Sequence, residues 1–163
     1  MTLEPDERIE LEVTPDRYTT VRYAGASGDF NPIHIDEEFA REVGLPGRIL
    51  HGLWIMAQVA RAHTEAAGGP EHLKRLSVQF RGIGRMEEKI TIAGAVREVS
   101  DGVAVVSSNA EQAGSRIIRG AVVELATETP GSTVEADGAT STIESSPGGE
   151  LPGAGDPADG RDD

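Results

Sequence analysis

The sequence predicts an α+β fold in which an antiparallel five-stranded sheet wraps around one long central helix. Three observations carry this. One segment, from Ile49 to Ala66, has the length and apolar content of a core helix. Five segments alternate apolar and polar residues with the period of two that marks half-buried strands. Turn dipeptides join the last strands closely enough for hairpins.

The first strand is Ile9 to Val13, where Ile-Glu-Leu-Glu-Val alternates until Pro15 ends it. A short helix is expected next in "TPDRYTTVRYAGAS", with Thr14 or Asp16 as cap and Tyr18, Val21 and Ala24 or Gly25 on its apolar face. The loop "SGDFNPIHID" follows. Then "DEEFAREVG" reads as a second short helix, capped by Asp36, with Phe39, Ala40 and Val43 on one side and Gly44 as its stop. The stretch "ILHGLWIMAQVARAHTEAAGG" is almost uncharged from Ile49 to Ala60, which predicts a helix buried on nearly every side and ended by Gly68-Gly69. Beyond Pro70 come "LKRLSVQF", "EKITIAGAVREV", "VAVVSSNAEQ" and "RIIRGAVVELA", the last three joined by Asp101-Gly102 and by Ala113-Gly114-Ser115. A sheet needs its apolar face covered, and the long helix is the one candidate cover.

Residues 1–126 thus form the expected domain. Residues 127–163 read as a disordered acidic tail. Eleven of those 37 residues are Gly or Pro, and nine acids against one Arg give them −8 of the total charge of −13. Burial there cannot offset the ~1–2 kcal/mol per residue that backbone ordering costs. The acidic balance speaks against nucleic acid and anionic membrane surfaces as partners. Cysteine is absent, so disulfides, thiolate metal sites and a Cys nucleophile are excluded. No stretch has the basic start and apolar run of a signal peptide or the ~18 apolar residues of a membrane span, so a cytoplasmic protein is expected. No His/Asp/Glu cluster has zinc-protease spacing, and the "GIG" at Gly82 and Gly84 lies between strands, so neither a metal nor a nucleotide cofactor is expected. His63 and His72 are expected to be solvated or satisfied surface residues.

The loop between the two short helices puts Asp29 five residues before His34 across Asn31-Pro32. Gly-Asp and Asn-Pro are turn dipeptides and Asp36 a helix cap, which alone would explain the composition. Yet a carboxylate and an imidazole on a path stiffened by proline also make an acid–base pair, because an imidazole trades protons near neutral pH. Gly52 stands in the first turn of the long helix, where backbone N–H groups are unpaired and the helix dipole is positive. It serves either tight packing or the close approach of a carbonyl oxygen to an oxyanion donor.

The stretch "YAGASGDFNPIHIDEEFA" resembles the signature of the MaoC-like dehydratases and (R)-specific enoyl-CoA hydratases, a hot-dog-fold family, and "GLPGRILHG" resembles its continuation into the central helix. The likeness is dense from Tyr23 to Gly52 and extends through the strand order to about Ala126. It implies a reversible hydration of trans-2-enoyl thioesters to (R)-3-hydroxyacyl thioesters in fatty-acid metabolism, with an acyl-CoA or acyl-carrier-protein substrate. By that resemblance Asp29 and His34 activate the water, Asn31 orients the site, Gly52 donates its N–H to the thioester oxygen, and His51 supports the loop. Trp54, Ile55 and Met56 are read as core with one face lining the acyl site. Ala26, and the missing Pro in "RGIGRMEEKI", depart from the family pattern. A homodimer joined sheet edge to sheet edge is expected, with a heterodimer as the other form. Two further readings share the fold: a non-catalytic acyl-binding subunit, and a thioesterase, whose acid would sit on the central helix, where only Glu65 is available.

Overall fold

The computed structural model describes residues 3–127. All but the first residue of the expected acidic tail lies outside the described residues. Five strands, β1 (Arg8–Val13), β2 (Leu73–Phe80), β3 (Ile90–Ser100), β4 (Val103–Gln112) and β5 (Ser115–Ala126), form one antiparallel sheet in the order β1-β3-β4-β5-β2. The two hairpins are tight because both residues of each turn, Asp101-Gly102 and Ala113-Gly114, take left-handed backbone angles that match the twist of the strands.

Four helices precede or cross the sheet: α1 (Thr19–Ser27), α2 (Pro32–Ile35), α3 (Glu37–Glu42) and α4 (Gly52–Ala67). The helix α4 touches all five strands. Ile55, Val59, Ala62 and Ala67 on its inner face meet Ile90, Ile92, Val96, Val106, Ile118, Val123 and Leu125 of the sheet. This is the core that the alternation predicts. No helix among the described residues is long and apolar enough to cross a membrane.

Five expectations need correction. Ile49 to His51 are not helical: α4 begins at Gly52, and the three residues before it run extended. α4 is not buried on nearly every side, since Leu53 is 61% exposed and Ala57, Arg61 and Glu65 continue the same outward row at i+4 spacing. In α1 the buried residues are Thr19, Thr20 and Ala24, while Tyr18 and Val21 face out. In α3 only Ala40 is buried, and Phe39 and Val43 are exposed.

His63 is the fifth. It is fully buried, four residues after Val59 on the inner face, and its Nδ1 donates to the Val59 carbonyl at 2.6 Å. The ring fits because β3 carries Gly94, where a Cβ would come 2.6 Å from His63 Nε2. His72 is half-buried, with its Nδ1 donating to Ala126 O at 2.9 Å. Burial pushes the His63 imidazole below its ordinary value of 6.5, against the smaller opposing effect of the Val59 carbonyl. The unfolded chain therefore binds a proton at this ring more readily than the folded one. The stability it contributes is complete above about pH 6.5 and falls as the pH drops below it. Thermal melts from pH 7.5 to 5 should show falling stability, and His63→Leu should flatten that slope. An unchanged slope would assign the acid sensitivity to other groups.

Candidate active site

The site is built where the α1–α3 segment meets the extended residues before α4. Gly28, at a φ of 76°, ends α1 and turns the chain into the Asp29 loop. There Asn31 Oδ1 accepts from Ile33 N–H at 3.2 Å, and Pro32 occupies the first turn of α2. The expected loop is thus partly a single helical turn. Asn31 is its cap, and the turn presents His34. Asp36 then caps α3, accepting from Glu38 N–H and Phe39 N–H at 3.0 Å each.

Two hydrogen bonds clamp this turn to the extended segment. Ile49 N–H donates to Ile33 O at 3.1 Å, and His34 Nδ1 lies 2.8 Å from Ile49 O. A carbonyl can only accept, so Nδ1 of His34 carries the proton and the Nε2 of the neutral ring holds a lone pair. That Nε2 lies 3.9 Å from Asp29 Oδ2. The gap is too long for a direct hydrogen bond and suits one shared water. His34 is 8% exposed, whereas the Asp29 side chain is 52% exposed. Asp29 Oδ1 is steadied by Asn31 N–H at 3.2 Å.

His51, 2% exposed, lies beneath the pair. Its Nε2 donates to the Asp29 carbonyl at 3.0 Å, and its ring stacks on His34 with centroids 3.8 Å apart and planes at 25°. Tyr23 packs on it from α1 at 4.8 Å. Among the described residues its Nδ1 is buried without a hydrogen-bond partner, as are Thr20 Oγ1 and His63 Nε2. One atom each of Asp29, His34 and His51 falls within 4.8 Å of the others. The His51 nitrogen facing Asp29 is committed to a carbonyl, which leaves two free ligand atoms where a catalytic zinc takes three from protein.

Gly52 follows as the first residue of α4, with the cap His51 in an extended conformation. Its N–H has no backbone acceptor among the described residues. The Phe80 ring lies against it, so that a Cβ on Gly52 would come 3.2 Å from Phe80 Cε1. Of the three residues read as substrate-lining, Ile55 turns into the core at 2% exposure and meets the Gly84 backbone. Met56 is half-buried against the core, and Trp54 borders a shallow groove with Tyr23 and Ala26 of α1. Glu65 is exposed near the far end of α4 and paired with Arg61 at 2.7 Å, away from the cluster. That position disfavours the thioesterase reading.

Comparison with known proteins gives three kinds of finding. The model of the MaoC-like domain family matches residues 2–114. A fatty acid synthase beta subunit of Emericella nidulans is 38% identical over 84 residues, which are 49% of this chain and 4% of that one. The chain therefore spans a small fraction of this curated relative. Among solved structures, the (R)-hydratase of A. caviae involved in PHA biosynthesis superposes with a TM-score of 0.72 at 17% identity, covering 78% of this chain and 99% of that one. The ChsH1-ChsH2 complex of Mycobacterium tuberculosis superposes with a TM-score of 0.70 at 24% identity, covering 77% and 98%. At these identities the two structures speak for the fold.

Proposed function

Since the chain belongs to the MaoC-like dehydratase family and has its hot-dog fold, we propose that it is a hydro-lyase adding water reversibly to trans-2-enoyl thioesters. The observation that carries the reading is the His34 Nε2 lone pair, fixed by the Ile49 carbonyl and facing Asp29 Oδ2 across 3.9 Å. Water held between these groups loses a proton to them as its oxygen bonds to C3. The electron pair of the C2–C3 double bond moves toward the thioester carbonyl, and the Gly52 N–H donates to the oxygen on which charge collects. A proton returned to C2 from the same pair completes the addition, and dehydration is the reverse. A hydroxyl at C3 in the (R) configuration is the stereochemical form of this proposal. Asn31 orients the site through the helix turn it caps, and His51 through the loop carbonyl it holds.

The sheet order leaves β1 and β2 as edges with unpaired backbone groups, which supports an edge-to-edge dimer with a second copy or with a related subunit. The direct test is an assay of the purified protein with crotonyl-CoA and longer enoyl-CoAs, following loss of the enoyl absorbance. Turnover is the expected result. Acyl-CoA binding without turnover, alone and with candidate partner subunits, would replace this reading with that of a binding subunit.

A further inference from the structure

The chain from Arg81 to Lys89, between β2 and β3, is held from two sides. Arg81 N–H donates to Ile117 O at 3.0 Å, and Leu50 N–H, two residues before Gly52, donates to Gly84 O at 2.8 Å. Gln112, 5% exposed, fastens the middle: its amide oxygen accepts from Arg85 N–H at 2.7 Å, and its amide nitrogen donates to Arg85 O and Glu88 O at 2.9 and 2.8 Å. Gly82 lies so close to β5 that a Cβ there would come 3.2 Å from Arg116 O. A fixed backbone results, and between it and the β4–β5 turn opens a cleft of about 460 Å³.

The charge of this cleft runs against that of the protein. Arg81, Arg85 and Arg116 line it with Glu88 as the one acid, in a chain of net charge −13. Each guanidinium has one local partner: Gln79 at 2.7 Å for Arg81, Glu88 at 3.7 Å for Arg85, Glu111 at 3.0 Å for Arg116. Exposed pairs of this kind contribute about 0–1 kcal/mol and leave most of each donor fork free, so they do not account for three arginines meeting at one cleft. A neighbouring cleft of about 410 Å³, on the Arg17 and Arg48 side of Arg85, differs in that Glu37, Glu87 and Glu88 balance its three arginines. Planar guanidinium forks match phosphate oxygens in pairs.

We propose that the cleft of Arg81, Arg85 and Arg116 binds the phosphate esters of the carrier that bears the thioester. The proposal rests on the hydro-lyase reading, and the Leu50–Gly84 hydrogen bond ties the loop that carries Arg81 and Arg85 to the residues that lead into Gly52. Phosphate of this kind comes either from the nucleotide of coenzyme A or from the phosphopantetheine arm of a carrier protein, and the substrates can separate them.

The test compares the wild type with the double variant Arg85→Ala, Arg116→Ala, whose side chains are half exposed and whose removal leaves the Gln112 bonds to backbone in place. Crotonyl-CoA, crotonyl-4′-phosphopantetheine and crotonyl-pantetheine are the substrates. With crotonyl-CoA, KM should rise about tenfold or more at unchanged kcat, the loss expected from one or two charge-assisted hydrogen bonds. Crotonyl-pantetheine, which has no phosphate, should be used equally well by both proteins. An equal penalty with the phosphopantetheine substrate assigns the cleft to the phosphate that both carriers share, and a penalty confined to crotonyl-CoA assigns it to the nucleotide phosphates. Identical KM values for crotonyl-CoA, or the same penalty with crotonyl-pantetheine, would overturn the proposal. Should neither protein turn over any substrate, titration calorimetry with free coenzyme A decides: weaker binding by the variant upholds the cleft, and equal binding removes it.

Discussion

His34→Ala and Asp29→Asn are each expected to lower turnover of an enoyl thioester by at least ~10²-fold with the fold intact, the effect typical of losing a positioned proton-transfer group. The reason is the water that the proposed mechanism holds between the two groups. His34 Nε2 and Asp29 Oδ2 lie 3.9 Å apart and face the same space, so removing either leaves that water with one partner. Two groups acting on one water do not contribute independently, and the double variant should lose far less than the product of the single losses. Steady-state kinetics on the four proteins, with circular dichroism as a check on folding, decides the matter. Full activity in either folded single variant would remove that residue from the chemistry, and multiplicative losses would mean that the two groups work in separate steps.

Gly52→Val should suppress turnover by ~10²- to 10³-fold, as expected for losing one oxyanion donor. The structure supplies a steric reason. A Cβ at this position would come 3.2 Å from the Phe80 ring, so the added branches must push against that ring or project over the N–H. Either result keeps a thioester oxygen from approaching the donor. Val is if anything a slightly better helix former than Gly, but its branches crowd the Phe80 ring, so thermal stability is measured alongside. Undiminished turnover in a folded Gly52→Val protein would locate the charge stabilisation elsewhere.

The sheet was legible in the sequence because its signals are local. Alternation in β3 to β5 and the dipeptides Asp101-Gly102 and Ala113-Gly114 each act within a few residues, and the structure follows them. The start of α4 was not, because the apolar pair Ile49-Leu50 continues the helix pattern while its backbone is used elsewhere, by Ile33, His34 and Gly84. The one-turn α2 was hidden inside turn chemistry, although Asn31 as cap and Pro32 at the first position are its signature. His63 sits between Arg61 and Glu65, which suggests a wet turn, and only its spacing of four from Val59 reveals the inner face. As for the site, residue types and spacing raised Asp29 and His34 as one of two readings of the loop, and the family resemblance chose between them. The tautomer of His34 depends on a carbonyl fifteen residues away and could be read only in three dimensions.

The extended stretch Ile49–His51 has a consequence for how the molecule comes apart. Residues 19–44 bury only Thr19, Thr20, Ala24, His34 and Ala40, little apolar area for a segment of that length. Their attachment to the scaffold runs largely through hydrogen bonds to residues 49–51, whereas α4 and the sheet share a continuous apolar core. Such a segment forms a cooperative unit of lower stability than the core, able to detach while the core stays folded. Mild denaturant should therefore abolish chemistry before it melts the sheet, and amide protons of α1 to α3 should exchange ahead of those in β3 to β5.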